Sequence, residues 1–137
     1  MKFEIPGRPL PLSRPFYGKK VIFDKSKKDK QNFALQCKYM APFRPLEGVL
    51  SLDLEFYFKR PKSHYRTGKN SHLIKDKFCE YHVNVPDLSN LIKFVEDALI
   101  GLFYKDDRQI AIINAVKYYC NEKHTEEKTI IRIRQYG

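Results

Sequence analysis

Asp87, Asp97, Asp106 and Asp107 all fall within one stretch, PDLSNLIKFVEDALIGLFYKDDRQI, of a chain that is otherwise strongly basic. Carboxylates set close together repel one another and resist ionisation unless a cation holds them. Leu88, Leu91, Ile92, Val95 and Leu99 recur at helical spacing, which predicts a helix over 88–100 with that face buried. At ~100° per residue, Asn90, Lys93 and Asp97 share a narrow stripe on nearly the opposite side. Asp87 sits just before the helix, where a carboxylate is favoured and can cap. A short turn, GLFYK, returns Asp106 and Asp107 to the neighbourhood.

Each residue has a plainer account. Asp87 alone reads as a helix cap. Lys93 and Asp97 form an i, i+4 pair worth about 0.3–0.5 kcal/mol, in the poorer Lys-then-Asp order. Asp106-Asp107 alone reads as a turn. Taken together they gather acids in the least basic part of the chain, and a bound cation is the economical explanation. Mg²⁺ suits such a site, because it takes oxygen ligands, keeps several waters and often binds through one or two carboxylates plus a substrate phosphate. A metal there lowers the pKa of a bound water for attack and screens phosphate charge. Lys93 is placed to hold that phosphate or stabilise its charge.

The elements that position these groups follow from local pattern. MKFEIPG alternates and ends at Pro6-Gly7, a short strand; the proline-dense segment after it is extended or turning. Residues 19–23 suggest a second short strand. Asp24 or Ser26 can cap a helix running to about Met40, with Phe33, Ala34, Cys37 and Met40 at core spacing. GVLSLDLEFYF, 48–58, alternates strictly and predicts a half-buried strand. The long polar stretch that follows has no steady period, and loops longer than about 12–15 residues are usually functional or disordered. QIAIINAVKYYC and KTIIRIRQY read as two strands, a hairpin turning at NEKHTEE. The expected fold is therefore α+β: one compact domain over 1–137, a mixed or antiparallel sheet with packed helices.

Composition narrows the partner. The chain has 137 residues, 26 Lys and Arg against 16 Asp and Glu, and a formal net charge of +10, which points first to nucleic acid and second to an acidic membrane surface. No run approaches the ~20 apolar residues of a membrane span. The start lacks the pattern of a signal peptide. Cys37, Cys79 and Cys120 are odd in number and far apart, which fits a reducing cytoplasm rather than a disulfide framework. His64, His72, His82 and His124 have no metal-ligand spacing, so zinc is not expected. His82 is close enough in sequence to Asp87 to sit near the site, though a surface role is the plainer reading.

At PDLSNLIK, DAL and DDRQI the chain resembles the RusA family of Holliday junction resolvases, often encoded by prophages; IPGRPLPLSRP, LEFYFKRPKS and INAVKYY extend the likeness over most of the chain. The resemblance implies a small homodimeric endonuclease that binds four-way DNA junctions and cuts two strands symmetrically with Mg²⁺ or Mn²⁺, in recombination and repair. Asp87 matches the family's first catalytic aspartate and Asp107 its last, and Lys93 matches a functionally important lysine. Asn90, Asp97, Asp106 and Gln109 match recurrent positions. Ser89 departs, standing where a second catalytic aspartate is usual; Val85-Pro86 likewise replaces a position often basic. A serine hydroxyl gives up one charge and one direct metal contact. Three arrangements are compatible with it. Ser89 binds metal weakly or through water, Glu96 or Asp106 supplies the missing carboxylate, or the protein binds DNA without cutting it. The expectation is weakened metal-dependent cleavage.

For DNA contact, residues 59–77 carry Lys59, Arg60, Lys62, Arg66, Lys69, Lys75 and Lys77, a loop suited to phosphates, which give affinity without sequence information. Arg8, Arg14, Lys19 and Lys20 suggest a second basic strip. Symmetric cuts imply two sites related by a twofold axis, hence a C2 dimer.

Overall fold

Leu50, Leu52, Leu54, Phe56 and Phe58 are all buried to within 2% exposure, so the strand they alternate along is the centre of the molecule. The structure, a computed structural model, describes residues 1–13, 16–17, 22–23 and 26–137, with backbone alone for 16–17 and 22–23. In chain order the elements are β1 (Lys2–Pro6), β2 (Phe16–Tyr17), β3 (Ile22–Phe23), α1 (Lys27–Lys38), β4 (Val49–Phe58), α2 (Leu88–Leu99), β5 (Ile110–Tyr119) and β6 (Lys128–Tyr136). The main sheet runs β1-β6-β4-β5, while β2 and β3 pair separately. β4 is antiparallel to β6 and parallel to β5, so the sheet is mixed. The expected α+β class holds, as one compact domain with two helices on a four-stranded sheet.

The expected hairpin between β5 and β6 does not form, because β4 lies between them. Parallel strands need a crossover connection. Here the chain leaves β4, passes through α2 and returns as β5 beside it, leaving the opposite edge of β4 for β6. β5 thereby becomes an edge of the sheet, directly after the turn that carries Asp107.

α2 is the helix expected over 88–100. Leu91, Phe94, Val95, Ala98 and Leu99 are buried, while Leu88 and Ile92 pack at the margin. Each large side chain among them contributes roughly 1.5–3 kcal/mol on burial. α1 lies against α2 through an edge-to-face contact of Phe33 with Phe94, centroids 5.5 Å apart. Cys37 is fully buried in α1, and desolvation pushes its thiol up to about 12. Met40, expected in the core, is instead exposed, because α1 ends at Lys38 and the chain turns away. The Ser26 hydroxyl accepts from the Ser13 N–H at 3.3 Å rather than capping α1. Asp24, Arg14, Lys19 and Lys20, with most of the strand expected at 19–23, lie outside the described residues. Among the described residues no helix is long and apolar enough to cross a membrane.

Candidate active site

Asp87 is the N-cap residue of α2, extended at φ −67° and ψ 141°, and its backbone carbonyl accepts the N–H groups of Asn90 and Leu91 at 3.1 Å each. An N-cap aspartate ordinarily turns its side chain onto the helix. Here the carboxylate makes no capping bond and is exposed. It is left for other work.

The segment leading to Asp87 is pinned from β5. Lys117 Nζ donates to the carbonyls of Asn84 at 2.7 Å and Pro86 at 2.8 Å. Desolvation lowers the Lys117 pKa, and the Asp87 charge opposes that shift, which makes the two residues electrostatic neighbours. Sequence reasoning saw this lysine-bearing strand but assigned Lys117 no role.

Along α2 the structure brings the expected stripe together. Lys93 Nζ lies 2.8 Å from Asp107 Oδ2 and 3.3 Å from Asp97 Oδ1, and Lys30 reaches Asp97 at 4.0 Å. The hydrogen bond to Asp107 is the main cause of a raised Lys93 pKa, partly offset by desolvation, so the ammonium stays charged. Glu96 is half-buried nearby. Desolvation first, then the charges of Asp107 and Asp97, raise its pKa against the pull of Lys93. It therefore shares the field of these acids.

The turn before β5 is built by its own side chains. Asp106 accepts the Arg108 N–H at 2.8 Å through Oδ1 and pairs with the Arg108 guanidinium through Oδ2. These bonds hold the Asp106 carboxyl below its usual range. Both oxygens of this expected metal ligand are thus engaged within its own turn. Gln109 Oε1 accepts from the N–H groups of Lys105 and Asp106, while its Nε2 donates to the carbonyls of Leu46 at 2.9 Å and Gly48 at 3.2 Å. One side chain thereby ties the Asp107 turn to the entry of β4. Behind it, the Tyr104 hydroxyl donates to the Glu96 carbonyl at 2.7 Å, joining turn and helix.

Asn90 is half-buried and Ser89 exposed on the first turn of α2. Among the described residues no group of three or more His, Cys, Asp and Glu side chains is arranged to hold one ion. His82 stands apart from the acids, stacked on Phe58 at 4.2 Å. Of the expected DNA contacts, Lys59, Lys62, Lys69 and Lys77 are exposed, Lys75 half-buried, and Arg66 is paired with Asp76 at 3.0 Å. Arg60 is buried instead, against the ring of Tyr119.

Residues 6–134 match the sequence pattern of the family described as Endodeoxyribonuclease RusA. The chain belongs to that family. It is also similar to a Bacillus subtilis (strain 168) protein described as "Uncharacterized protein YqaN", 33% identical over 132 residues that cover 92% of each chain. RusA endonucleases act on branched DNA junctions and are in general divalent-metal dependent. The donors here suit such an ion in kind. Asp87 offers a carboxylate free of capping and Asp107 one held by a half-exposed lysine, and Mg²⁺ often needs no more than two carboxylates with waters and phosphate. A cage of three acids is not present among the described residues.

Proposed function

We propose that this chain is a structure-selective, metal-dependent endodeoxyribonuclease that resolves four-way DNA junctions during recombination and repair. The observation that carries the reading is the uncapped Asp87 at the head of the helix whose Lys93 holds Asp107. Asp87 and Asp107 would hold a Mg²⁺ or Mn²⁺ ion, with Ser89 contributing through water. When bound, such an ion supplies an activated water and charge screening at the phosphate.

The chain's own residues do the rest. Lys93 keeps Asp107 in place and carries a half-exposed ammonium that can turn to a non-bridging phosphate oxygen. Lys117 fixes the 84–86 backbone and so the position of Asp87. Asn90, Asp97 and Gln109 support the helix stripe and the turn. Lys59, Lys62, Lys69, Lys75 and Lys77, with Arg66, contact backbone phosphates of the arms. Two symmetric cuts require a homodimer.

A second reading is favoured by Ser89, which leaves the first helical turn without a second carboxylate. In it the chain binds junctions and does not cut them. A labelled mobile four-way junction with Mg²⁺ and with Mn²⁺, given native protein, Asp107→Asn and Ser89→Asp, separates the two. Symmetric nicking that disappears in Asp107→Asn establishes the nuclease. Tight binding without cutting, rescued by Ser89→Asp, establishes the binder.

A further inference from the structure

Among the described residues, Arg60 is a buried cation with no carboxylate paired to it. Its residue is 8% exposed, and among the described residues its guanidinium donates to two neutral acceptors, His64 Nδ1 at 3.1 Å and the Cys79 carbonyl at 2.8 Å. Its Nε is buried with no partner. A guanidinium has five N–H donors, so most of its capacity is unused. Burying a charge is costly unless it is paired. The site is nonetheless built to keep it there. The guanidinium carbon lies 4.4 Å from the centre of the Tyr119 ring, and His64 is stacked on Phe78 at 3.7 Å.

Arg60 and Tyr119 line a cleft of about 850 Å³ between the 59–82 loop and the end of β5, and Lys59, Lys62 and Lys75 line it too. Its lining carboxylates are Asp76, which is paired with Arg66 at 3.0 Å, Glu80 and Glu122, against the four cations Lys59, Arg60, Lys62 and Lys75. The positive field is felt inside. Desolvation lowers the pKa of His64, and the charges of Arg60, Lys75 and Lys77 lower it further.

The cleft is also close in register to the lysine that holds the segment before Asp87. Lys117 and Tyr119 pair in register with Phe56 and Phe58, so both face the same side of the sheet, about 7 Å apart along β5. Lys117 fixes the segment that presents Asp87. The ring that carries the Arg60 guanidinium thus stands one same-face position along β5 from the lysine that fixes the Asp87 segment.

We infer that this cleft is a phosphate receptor, in which Arg60 seats a backbone phosphate of the cut strand close to the scissile one while Lys62 and Lys75 close over it. The inference rests on the junction-nuclease reading and adds a fixed seat to its general basic surface. It sets the strand's register against Asp87, which mobile surface lysines cannot do.

The test is the Arg60 Nε–H resonance of the ¹⁵N-labelled full chain, assigned through Arg60→Lys. The chain is titrated with a single-stranded tetranucleotide, with the same sequence carrying neutral methylphosphonate linkages, and with sodium chloride at matched ionic strength. The expected result is a saturable shift with the phosphodiester alone, and roughly tenfold weaker binding of it in Lys62→Ala/Lys75→Ala. An unmoved Arg60 resonance, or an equal shift with the methylphosphonate, overturns the receptor. A junction gel shift on the same protein separates the two failures. Tight junction binding with Arg60 unmoved sinks the cleft alone, whereas no junction binding sinks the nuclease reading.

Discussion

Lys117→Met removes the two bonds from β5 to the segment before Asp87 while keeping a side chain of similar length and shape. The native ammonium makes contacts of 2.7 and 2.8 Å to the carbonyls of Asn84 and Pro86. Hydrogen bonds to a charged group contribute about 1.5–3 kcal/mol each. Two effects reduce that sum. Desolvation of the ammonium, seen in its lowered pKa, already costs part of it, and Asn84 is exposed, so water replaces the lost donor there. A net loss of about 1–2 kcal/mol is expected, a fall in Tm of roughly 3–8 °C for a domain of this size. The effect on catalysis is expected to be larger, because a carboxylate displaced by about 1 Å can cost 10²-fold in rate. Junction affinity should change little, since the Lys117 ammonium is turned to backbone carbonyls rather than outward. The assay pairs thermal unfolding with single-turnover cleavage of a labelled junction at saturating protein. Cleavage within about threefold of native beside a lowered Tm would refute the positioning role and leave Lys117 a stabilising residue only. Lost junction binding would refute it from the other side, by showing that the ammonium contacts DNA.

Gln109→Ala removes a side chain that accepts two backbone N–H groups and donates to two carbonyls, so a loss of about 2–3 kcal/mol is expected by urea denaturation, with cleavage falling at least tenfold because the Asp107 turn loses its tie to β4. Unchanged cleavage by the folded variant would mean that Lys93 alone suffices to place Asp107. His82 supplies a pH dependence: desolvation, with the charge of Lys117 next, pushes its pKa down to about 4. The unfolded chain takes up a proton near pH 6.5 that the native fold refuses, so stability is complete above that pH and declines as pH falls toward 4. From this group the loss is about 2 kcal/mol between pH 7 and pH 5. Urea midpoints at the two pH values should therefore converge in His82→Gln, and an undiminished pH dependence in that variant would assign it to other groups.

The parts of this molecule legible in sequence are those where a period meets a single buried face. β4 alternates and buries the residues its pattern names, and α2 repeats at helical spacing and buries Leu91, Val95 and Leu99 with Leu88 and Ile92 at the margin. Pairing was not legible in the same way. β5 and β6 follow one another with only the polar NEKHTEE segment between them, and nothing local says that β4 will part them. The crossover through α2 decides that, and it is a property of the whole chain. The 59–82 segment was opaque for another reason. Arg60, His64 and Phe78 hold it by stacking and single hydrogen bonds, which follow no period. The same holds for Lys117, whose partners are backbone carbonyls 33 and 31 residues earlier in the chain. A lysine on a strand reads as solvent-facing until the register turns it toward the helix side.

The site residues themselves were legible as a set, and the structure changes how their charges balance. Every aspartate of the set has a cation of the chain's own: Asp97 and Asp107 share Lys93, Asp106 has Arg108, and Asp87 neighbours Lys117. Nearby acids that would otherwise repel one another are thereby balanced by cations of the same chain. With the neutral Ser89 in it, the first turn of α2 adds no negative charge to draw a divalent cation against those lysines. In the proposed nuclease, a scissile phosphate entering beside Asp87 would supply oxygen donors and negative charge, and would give Lys93 an alternative acceptor to Asp107. In the proposed nuclease, DNA and metal therefore assemble the site together, each raising the affinity for the other by the same factor.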